Sequence, residues 1–495
     1  MIEECNATVA GLLPSVTDVD MSFLNTIGGV NLSTADNVGY DSSDKSSTDS
    51  DEDASDSDSD DKLPDNALPI AKRIRRTHAR KPMNTSTWWT LFLSPEAKAS
   101  YVSEPDGRDS KVFRRAFRIP YSLFKEKILD FSVRMWWPEW HEYKVDAFGR
   151  PVGYLELKLL GVLNSLGHAA SHFSVGLQTN ISEEVHRKFF MQWTGLMASV
   201  KHLFIYMPQE EAQLRFIMEE YRDMGLPGCV GSVDCVHVGW DQCPVQYSNM
   251  YKGKEGYTSI AYEVICTSRK FIQSVSAGHP GARNDKHIVR TDDTVMSLLH
   301  GNGWLNSKSW ETKDRKGRTK VTKGLYLICD GGYHRWPCLM FPVKSGAPDS
   351  PLAKWGGMME SVRKDIEGVF GILKKRFQYL KTFNRMRKQV HIDNAFTTCC
   401  IIHNLLLDDD GFLDEDLHVY PNGVKERLGK VFKVADDPRG DAITGRGEDD
   451  TEDPIMDEEE QRQCPIESKR LASKWQRVLQ TLVDHYEFYY AMKKK

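Results

Sequence analysis

Three acidic residues lie at positions where an acid needs a structural or chemical reason. Asp234 interrupts the largely apolar run 229–236, and Asp330 follows the apolar run 326–329 and precedes two glycines. Glu367 lies in a predicted helix with basic residues on both sides of it. Carboxylates from two strands and one helix can converge on hard divalent cations, which prefer oxygen ligands. Two such cations roughly 3.5–4 Å apart support phosphodiester cleavage, so the three acids indicate that chemistry.

Each acid also has an ordinary structural interpretation. Asp234 can be buried with a partner, and any of the three acids can cap a helix or form an ion pair. Glu360, earlier in the same predicted helix, is a rival for the position of Glu367. The basic surroundings favour the chemical interpretation, because a reaction on DNA needs acids to hold metal and bases to hold phosphates.

The elements that must position these acids are predicted to be strands followed by helices, an order typical of an α/β or α+β core from about 225 to 409. The segment 301–324, polar and basic, is predicted to be an inserted loop. The apolar patterns predict strands over 230–238, 259–267, 271–277 and 325–329, with a hairpin between the second and third, and helices over 358–380, 392–407 and 467–492.

The region before this core has helical periodicity between 114 and 197. Apolar residues from Leu155 to Leu166 share one broad face. A following helix is indicated by the run 180–183, in which Asn180 can cap the helix and Glu183 can reach back to it. Two helices joined in this way can form a helix-turn-helix, and any small helical bundle would show the same pattern.

The charge distribution separates two acidic strips from a basic remainder. The 495 residues carry a formal net charge of −5. Segments 41–61 and 448–460 each have a net charge of −9, which leaves +13 on the other 461 residues. This excess keeps nucleic acid among the candidate partners. The Asp- and Ser-rich segment 41–61 cannot bury enough apolar surface to fold, so it is predicted to be disordered.

Two basic stretches are candidates for contact with DNA. The cluster 72–81 is either a solvated linker or a nuclear-import signal or DNA-contacting arm. The stretch 363–388 has nine bases and two acids and overlaps Glu367. The side chains predicted to bind phosphates there are Arg363, Lys364, Lys374, Lys375, Arg376, Arg385, Arg387 and Lys388.

Other classes of protein are disfavoured. The sequence has no run of about 18 or more apolar residues, so no transmembrane helix is expected. Residues 1–9 lack the basic region of a secretory signal, which predicts an intracellular protein with reduced thiols. Cys229, Cys235, His237 and Cys243 do not have the spacing of a common zinc finger, so thiols packed in the core are the favoured interpretation.

Six short motifs surround the acids and the helix predicted to close the core. In chain order they are 231–237 (GSVDCVH), 278–285 (GHPGARND), 328–333 (ICDGGY) with 336–337, 363–374 (RKDIEGVFGILK), 391–394 (HIDN) and 399–404 (CCIIHN). Together they resemble the motifs of Harbinger-type (PIF/Harbinger) transposases, the superfamily with a DDE endonuclease domain. The resemblance covers about 114–409 and is closest to the plant-transposon-protein branch.

This resemblance implies an α/β, RNase H-like core, a mixed sheet flanked by helices, preceded by a small helical domain for which a helix-turn-helix is one candidate. It implies that Asp234, Asp330 and Glu367 are catalytic and bind two Mg²⁺ or Mn²⁺ ions. Asp285 matches a further acid that the family is proposed to use near the metal. Its neighbour Asn284 departs from the His or Gln of many relatives, so the metal-binding role of Asp285 stays open.

The chain is therefore divided into regions of different character. They are a disordered tail that is acidic and then basic (1–85), a helical region (86–224), an RNase H-like nuclease domain (225–410) with the insertion 301–324, an acidic linker (411–462) and a C-terminal amphipathic helix (463–495).

Two functions fit these features. The first is a nuclear transposase or transposase-derived endonuclease that cleaves DNA by two-metal-ion catalysis, with strand transfer as a further step. The second is a domesticated DNA-binding or chromatin regulatory protein that keeps the fold without cleavage, and the intact acidic triad favours the first.

The expected partners follow from the same resemblance. It implies transposon terminal repeats, target DNA and a separate Myb-like DNA-binding protein, with no membrane. A homo-oligomer is a further candidate. Four aromatic side chains of the terminal helix could serve a partner or a dimer, or could pack on their own domain. They are Trp475, Tyr486, Tyr489 and Tyr490.

Overall fold

The computed structural model describes most of the chain between the predicted tails. It covers residues 81–137, 154–407 without 255, 302, 344–346, 348 and 383, residue 409, and residues 465–493. The acidic strip 41–61, most of the basic cluster 72–81 and the predicted linker 411–462 lie outside these residues. The predictions made for those three segments therefore stay predictions.

The described chain is helical before residue 224. The α-helices there are α1 (Pro95–Ser103), α2 (Arg108–Phe117), α3 (Tyr121–Leu123), α4 (Asp130–Trp136), α5 (Leu155–His168), α6 (His172–Thr179), α7 (Glu183–Ser199) and α8 (Glu211–Asp223). Short 3-10 or π turns accompany them at Met83–Thr85, Trp89–Leu93, Phe124–Leu129 and Lys201–Leu203.

The junction of α6 and α7 differs from the prediction made for Asn180. This residue follows α6 with a left-handed backbone (φ 56°), and its side-chain amide donates to the carbonyl oxygen of Pro82. Asn tolerates this conformation because its short polar side chain can bond locally. Ser182, two residues later, is the residue that precedes α7. The helix-turn-helix interpretation of this junction stays a prediction.

Six of the described strands form one mixed sheet. Their order is β3-β2-β1-β7-β8, with β4 also paired to β2. β1 runs antiparallel to β2 and parallel to β7, and β7 runs parallel to β8. The strands are β1 (Cys229–Gly239), β2 (Ser259–Cys266), β3 (Ile272–Val275), β4 (His279–Pro280), β7 (Tyr326–Ile328) and β8 (Leu339–Met340). The predicted mixed α/β architecture is confirmed at this level.

The segment predicted as an inserted loop contains a β-hairpin. β5 (Ser309–Lys313) and β6 (Thr319–Lys323) pair antiparallel in a separate two-stranded sheet. Trp310 is buried, and a Cβ added at Gly228 would lie only 2.5 Å from its indole. The hairpin is therefore held by an aromatic anchor, which a count of polar and basic residues does not reveal.

Helices cover the rest of the core. They are α9 (Ser248–Tyr251), α10 (Asp285–Val289), α11 (Asp293–His300), α12 (Pro351–Arg376), α13 (Gln389–Leu405) and α14 (Pro465–Lys493), with 3-10 turns at Val245–Tyr247, Leu305–Ser307 and Gln378–Leu380. α12 begins earlier than the predicted 358, because Ser350 caps its first turn and Pro351 occupies a position where no N–H is needed. None of the described helices has both the length and the apolar character needed to cross a bilayer.

The C-terminal helix α14 packs back on the domain. Its Trp475 indole N–H donates to the carbonyl oxygen of Leu339 at 2.9 Å, and the Trp475 ring stacks on Phe341 with centroids 4.9 Å apart. Arg315 of the hairpin segment forms an ion pair with Asp484 at 2.8 Å. These contacts join α14 to both the edge strand β8 and the β5–β6 hairpin.

Two hydrophobic cores enclose the sheet. One joins aromatic residues of the N-terminal helices, such as Phe113 and Trp193, to Tyr262 of β2 and Phe396 of α13. The other joins α8, β7, α12 and α14. Each large side chain buried in this way contributes roughly 1.5–3 kcal/mol. Because the first core draws on residues before and after 225, the predicted domain boundary there stays a prediction.

Candidate active site

Asp234 and Asp330 lie at the same level of neighbouring parallel strands. The register pairs Ser232 of β1 with Ile328 of β7. Each aspartate lies two residues beyond this pair, and side chains two residues apart in a strand point to the same face. Two acids that are far apart in sequence therefore meet at the end of β7, where the chain leaves the sheet.

Asp285 reaches the same place from the start of α10. A Cβ added at Gly332 would lie 3.0 Å from Asp330 Oδ1 and 3.3 Å from Asp285 Oδ2, so both carboxylates flank this glycine. The Gly332 N–H donates to Asp330 Oδ1 at 2.8 Å. Asn284, the residue that departs from the family pattern, caps α10 by accepting from the His287 N–H at 3.0 Å. Its amide thus serves the helix that carries Asp285.

Burial and the negative charges of neighbouring acids raise the pKa values of Asp234 and Asp330. Burial raises the pKa of Asp234 to about 7, and the negative charges of Asp330 and Asp285 act in the same direction. The Cys235 N–H, which donates to Asp234 at 2.8 Å, and the charge of Arg363 offset part of this rise. The pKa of Asp330 is also raised, first by burial and then by Asp285.

Glu367 approaches the aspartates from α12, but through an arginine. Arg363 Nη2 donates to Glu367 Oε1 at 2.9 Å, and Arg363 Nη1 donates to Asp234 Oδ2 at 3.3 Å. The same guanidinium makes two bonds to Glu360, from Nε at 3.0 Å and from Nη2 at 2.7 Å. One guanidinium therefore bridges the strand acid and both glutamates of the helix.

The residues fit a divalent ion better on the strand side than on the helix side. Asp234, Asp285 and Asp330 offer oxygen ligands, and a cation would relieve the cost of charge that raises the pKa values of Asp234 and Asp330. Within the described part of the chain, no three His, Cys, Asp or Glu side chains stand in an arrangement ready to hold a metal. The guanidinium of Arg363 lies between Asp234 and Glu367 and contacts both carboxylates.

The basic residues predicted to contact DNA differ in how far they are exposed to solvent. Arg363 is buried against carboxylates, which is not the placement expected of a phosphate contact. Arg385 lies 3.8 Å from Asp241 in an exposed ion pair. Of the remaining predicted residues, Lys364, Lys375, Arg387 and Lys388 are exposed, and Lys374 and Arg376 are partly buried.

Two residues near the acids were missed by the sequence analysis. Glu263 of β2 is fully buried, and neither carboxylate oxygen accepts a hydrogen bond, although the Tyr333 hydroxyl is close enough to favour its charged form. Burial, with the charge of Asp292 second, raises the pKa of Glu263 well above its usual range. Its signal was an acid inside an apolar strand, as for Asp234. The exposed Lys254, whose charge lowers the pKa of Asp330, has no comparable signal.

The cysteines within the described ranges form no metal cluster. The described cysteines are all free thiols, and Cys229 is fully buried. Burial raises the pKa of the Cys229 thiol to about 12, which disfavours the thiolate that a metal would need. Cys235 lies 3.6 Å from the Tyr333 hydroxyl. Packing in the core accounts for Cys229, whereas Cys235 and Cys243 are only partly buried.

Comparisons with known proteins point to one family. Residues 204–414 match the model of the plant transposon protein family. Protein ALP1-like of Arabidopsis thaliana is 24% identical over 335 residues, which are 66% of this chain and 77% of that protein. The cattle (Bos taurus) protein named "Putative nuclease HARBI1" is 23% identical over 260 residues, 51% of this chain and 67% of its own length.

A further relative carries a different kind of name. The Arabidopsis thaliana protein Antagonist of Like Heterochromatin Protein 1 is 21% identical over 366 residues, 70% of this chain and 87% of that protein. No solved structure matches the chain. Residues 204–414 are thus similar to the plant transposon protein family, and the resemblance of the chain to Harbinger-type transposases is confirmed.

Proposed function

We propose that this protein is a transposase or transposase-derived endonuclease that cleaves DNA phosphodiester bonds with two divalent ions, Mg²⁺ or Mn²⁺. The observation that carries the proposal is the meeting of Asp234, Asp285 and Asp330 at one end of the sheet, where Asp285 and Asp330 both flank Gly332 and burial with the neighbouring acids raises the pKa values of Asp234 and Asp330. The match of residues 204–414 to the plant transposon protein family supports it, as does the word nuclease in the name of one relative. Strand transfer by a liberated 3′-hydroxyl is a further step within this proposal.

An RNase H-like core is the fold that we propose for this site. The mixed sheet flanked by helices supports it, since β1 and β7 are parallel neighbours that deliver Asp234 and Asp330 to one end. The hairpin β5–β6 leaves the main sheet between those two strands, as an insertion would. The N-terminal helices would then be a helical addition, with α6 and α7 as its candidate helix-turn-helix.

The side chains of this chain divide the work of the reaction. Asp234, Asp285 and Asp330 would hold the ions, and Glu367 would complete the set from α12. When bound, the ions would activate the attacking water or hydroxyl and stabilise the charge that develops on the phosphate. Exposed bases such as Lys364 and Lys375 would bind the phosphates that flank the cleaved bond.

A domesticated regulator without cleavage is the second candidate. It is favoured by one observation, the match over 70% of this chain to a relative named as an antagonist of a heterochromatin protein. A regulator would bind DNA or chromatin without needing the acids. The nucleus, transposon terminal repeats, a Myb-like DNA-binding partner and a homo-oligomer belong to the proposal in either case.

A nicking assay separates the two candidates. Purified full-length protein is incubated with Mg²⁺ or Mn²⁺ and supercoiled plasmid carrying the cognate terminal repeats. We expect the wild type to nick the plasmid and Asp234→Asn, Asp330→Asn and Glu367→Gln to lose nicking. Asp223→Asn is the matched control, because this aspartate is 60% exposed and lies outside the site.

The outcomes of this assay are distinct. Equal nicking by the wild type and the three site variants would show that the acids are misassigned. Absence of nicking by every protein, with retained DNA binding, would favour the regulator. Loss of nicking by Asp223→Asn as well would indicate a general folding defect, which circular dichroism of each variant checks.

A further inference from the structure

Arg363 is more enclosed than either of the two glutamates that it bonds on α12. Its side chain is 9% exposed, whereas those of Glu360 and Glu367 are 36% and 49% exposed. The residue was predicted to bind phosphates, and a guanidinium this enclosed and already bonded to three carboxylates is poorly placed for that task. Its contacts have to be explained by the acids around it.

The helix spacing determines which acids share this arginine. Glu360 and Glu367 lie three residues before and four residues after Arg363, positions that fall on one face of a helix. Asp234 comes to the same guanidinium from β1. Arg363 is thus the one cation among these four side chains, and it holds a strand acid and a helix acid at a fixed separation.

The contacts of Arg363 are unequal. Two donors reach Glu360, at 3.0 and 2.7 Å, in the paired geometry that makes arginine–carboxylate bonds strong. Asp234 and Glu367 each receive a single bond, at 3.3 and 2.9 Å. Glu360 can therefore retain the guanidinium while the other two carboxylates exchange it for another cation.

We propose that Arg363 is a positioning residue that competes with the divalent ion for Asp234 and Glu367, and that Glu360 holds the arginine when it gives way. This inference rests on the metal site of the proposed function. Without metal, the guanidinium offsets repulsion among the acids. When a divalent ion approaches, the positive charge of the guanidinium repels it. Arg363 therefore lowers the affinity of the site for the ion.

The experiment measures Mn²⁺ affinity of the full-length protein by titration with electron paramagnetic resonance of free Mn²⁺. Arg363→Met keeps an unbranched stem of similar length and removes the charged guanidinium. We expect it to bind Mn²⁺ tighter by on the order of tenfold, the scale on which groups behind the ligands change metal affinity. Lys364→Met is the matched control, since it removes one exposed positive charge from the adjacent position and should change Mn²⁺ affinity by less than about twofold.

A double-mutant cycle tests the part assigned to Glu360. Glu360→Gln alone should weaken Mn²⁺ binding, because the freed guanidinium binds Asp234 and Glu367 more fully. In the Arg363→Met background, the same change should have much less effect if Glu360 acts through the arginine. An equal loss in both backgrounds would mean that Glu360 acts directly on the ion, which contradicts its proposed role.

Thermal unfolding gives a readout that does not depend on activity. In EDTA, Arg363→Met should unfold at a lower temperature than the wild type, because the acids lose their internal cation. Saturating Mn²⁺ should raise its unfolding temperature by more than that of the wild type. A merely structural arginine would lower both temperatures together and leave the gain from Mn²⁺ unchanged.

Failure of the inference can be told from failure of the metal site. If Asp234→Asn abolishes Mn²⁺ binding while Arg363→Met binds no tighter than the wild type, the site stands and the competition is refuted. If neither the wild type nor Arg363→Met binds Mn²⁺, both the metal site and this inference are wrong. Binding by Arg363→Met alone would be the strongest support, because the arginine would then block the site entirely.

Discussion

The two sides of the acidic site carry the same kind of charge in different ways. On the strand side, Asp234 and Asp330 are enclosed, and burial and repulsion raise their pKa values. On the helix side, Glu360 and Glu367 are partly exposed and share the guanidinium of Arg363. Arg363 bonds to Asp234 only once, at 3.3 Å, and to Glu360 twice, at 3.0 and 2.7 Å, so its charge serves the helix side more fully. A cation from solution should accordingly matter most to the strand acids.

The comparison is tested most strongly by removing one acid from each side. Asp330→Asn should weaken Mn²⁺ binding by about 100-fold or more, and Glu367→Gln by only about tenfold, because Glu367 already has a partner in Arg363. Isothermal titration calorimetry at neutral pH measures both. A larger loss for Glu367→Gln would reverse the assignment of the two sides.

The raised pKa of Asp234 should also make the free energy of unfolding fall as pH rises. The pKa of Asp234 is raised to about 7 in the folded protein, so between about pH 4 and 7 the folded state binds more protons than the unfolded state. In EDTA, the unfolding free energy of Asp234→Asn should gain roughly 2–4 kcal/mol on that of the wild type across this interval.

Denaturant titrations at several pH values measure this difference. The charged groups that face Asp234 are Asp285, Asp330 and Arg363, and all three are present in both proteins. Mn²⁺ should reduce the pH dependence, since a bound cation favours the ionised carboxylate. If the difference in unfolding free energy between the two proteins stays constant from pH 4 to 7, the surroundings do not raise the pKa of Asp234.

Two adjacent glycines offer a smaller and sharper test of the strand side. A Cβ at Gly332 would lie 3.0 Å from Asp330 Oδ1 and 3.3 Å from Asp285 Oδ2, whereas a Cβ at Gly331 would meet nothing within 4 Å. Gly332→Ala should lower Mn²⁺ affinity by about tenfold through displacement of the carboxylates. Gly331→Ala is the control and should leave it unchanged. Equal effects of the two substitutions would mean that the site does not lie against Gly332.

The smallest expected effect concerns the exposed bases that follow the helix acids. Lys375→Ala should reduce the slope of log affinity for DNA against log salt concentration by about one, the change expected when one phosphate contact is lost. Lys111→Ala, an exposed lysine of α2 far along the chain, should leave the slope unchanged. Filter binding at several salt concentrations measures both, and identical slopes for all proteins would remove α12 from the DNA path.

The strand acids were the part of the site most open to prediction from sequence. Asp234 and Asp330 each stood beside an apolar run of strand length, and parallel strands bring such positions to one end of a sheet. Glu263 carried the same signal inside the apolar strand β2 and was overlooked. Its burial follows from its place in β2, which lies between two covered neighbours in the middle of the sheet.

The role of Arg363 could not be obtained from charge sums along the chain. Counting bases over 363–388 treats every side chain as if it faced solvent. The helix instead turns Arg363 toward Glu360, Glu367 and a strand residue 129 positions earlier, while Lys364 faces outward. The three- and four-residue spacings to the glutamates were visible in the sequence. The approach of Asp234 depends on tertiary packing and was not.

The packing of the terminal helix α14 on the domain determines how far the protein can be shortened. Trp475 covers the edge strand β8 through Leu339 and Phe341, although the family match ends at residue 414. A protein trimmed to that match would expose a strand edge and an apolar patch, the features through which separate molecules associate and precipitate. The stretch that matches the family is therefore shorter than the stretch that keeps this edge of the sheet covered.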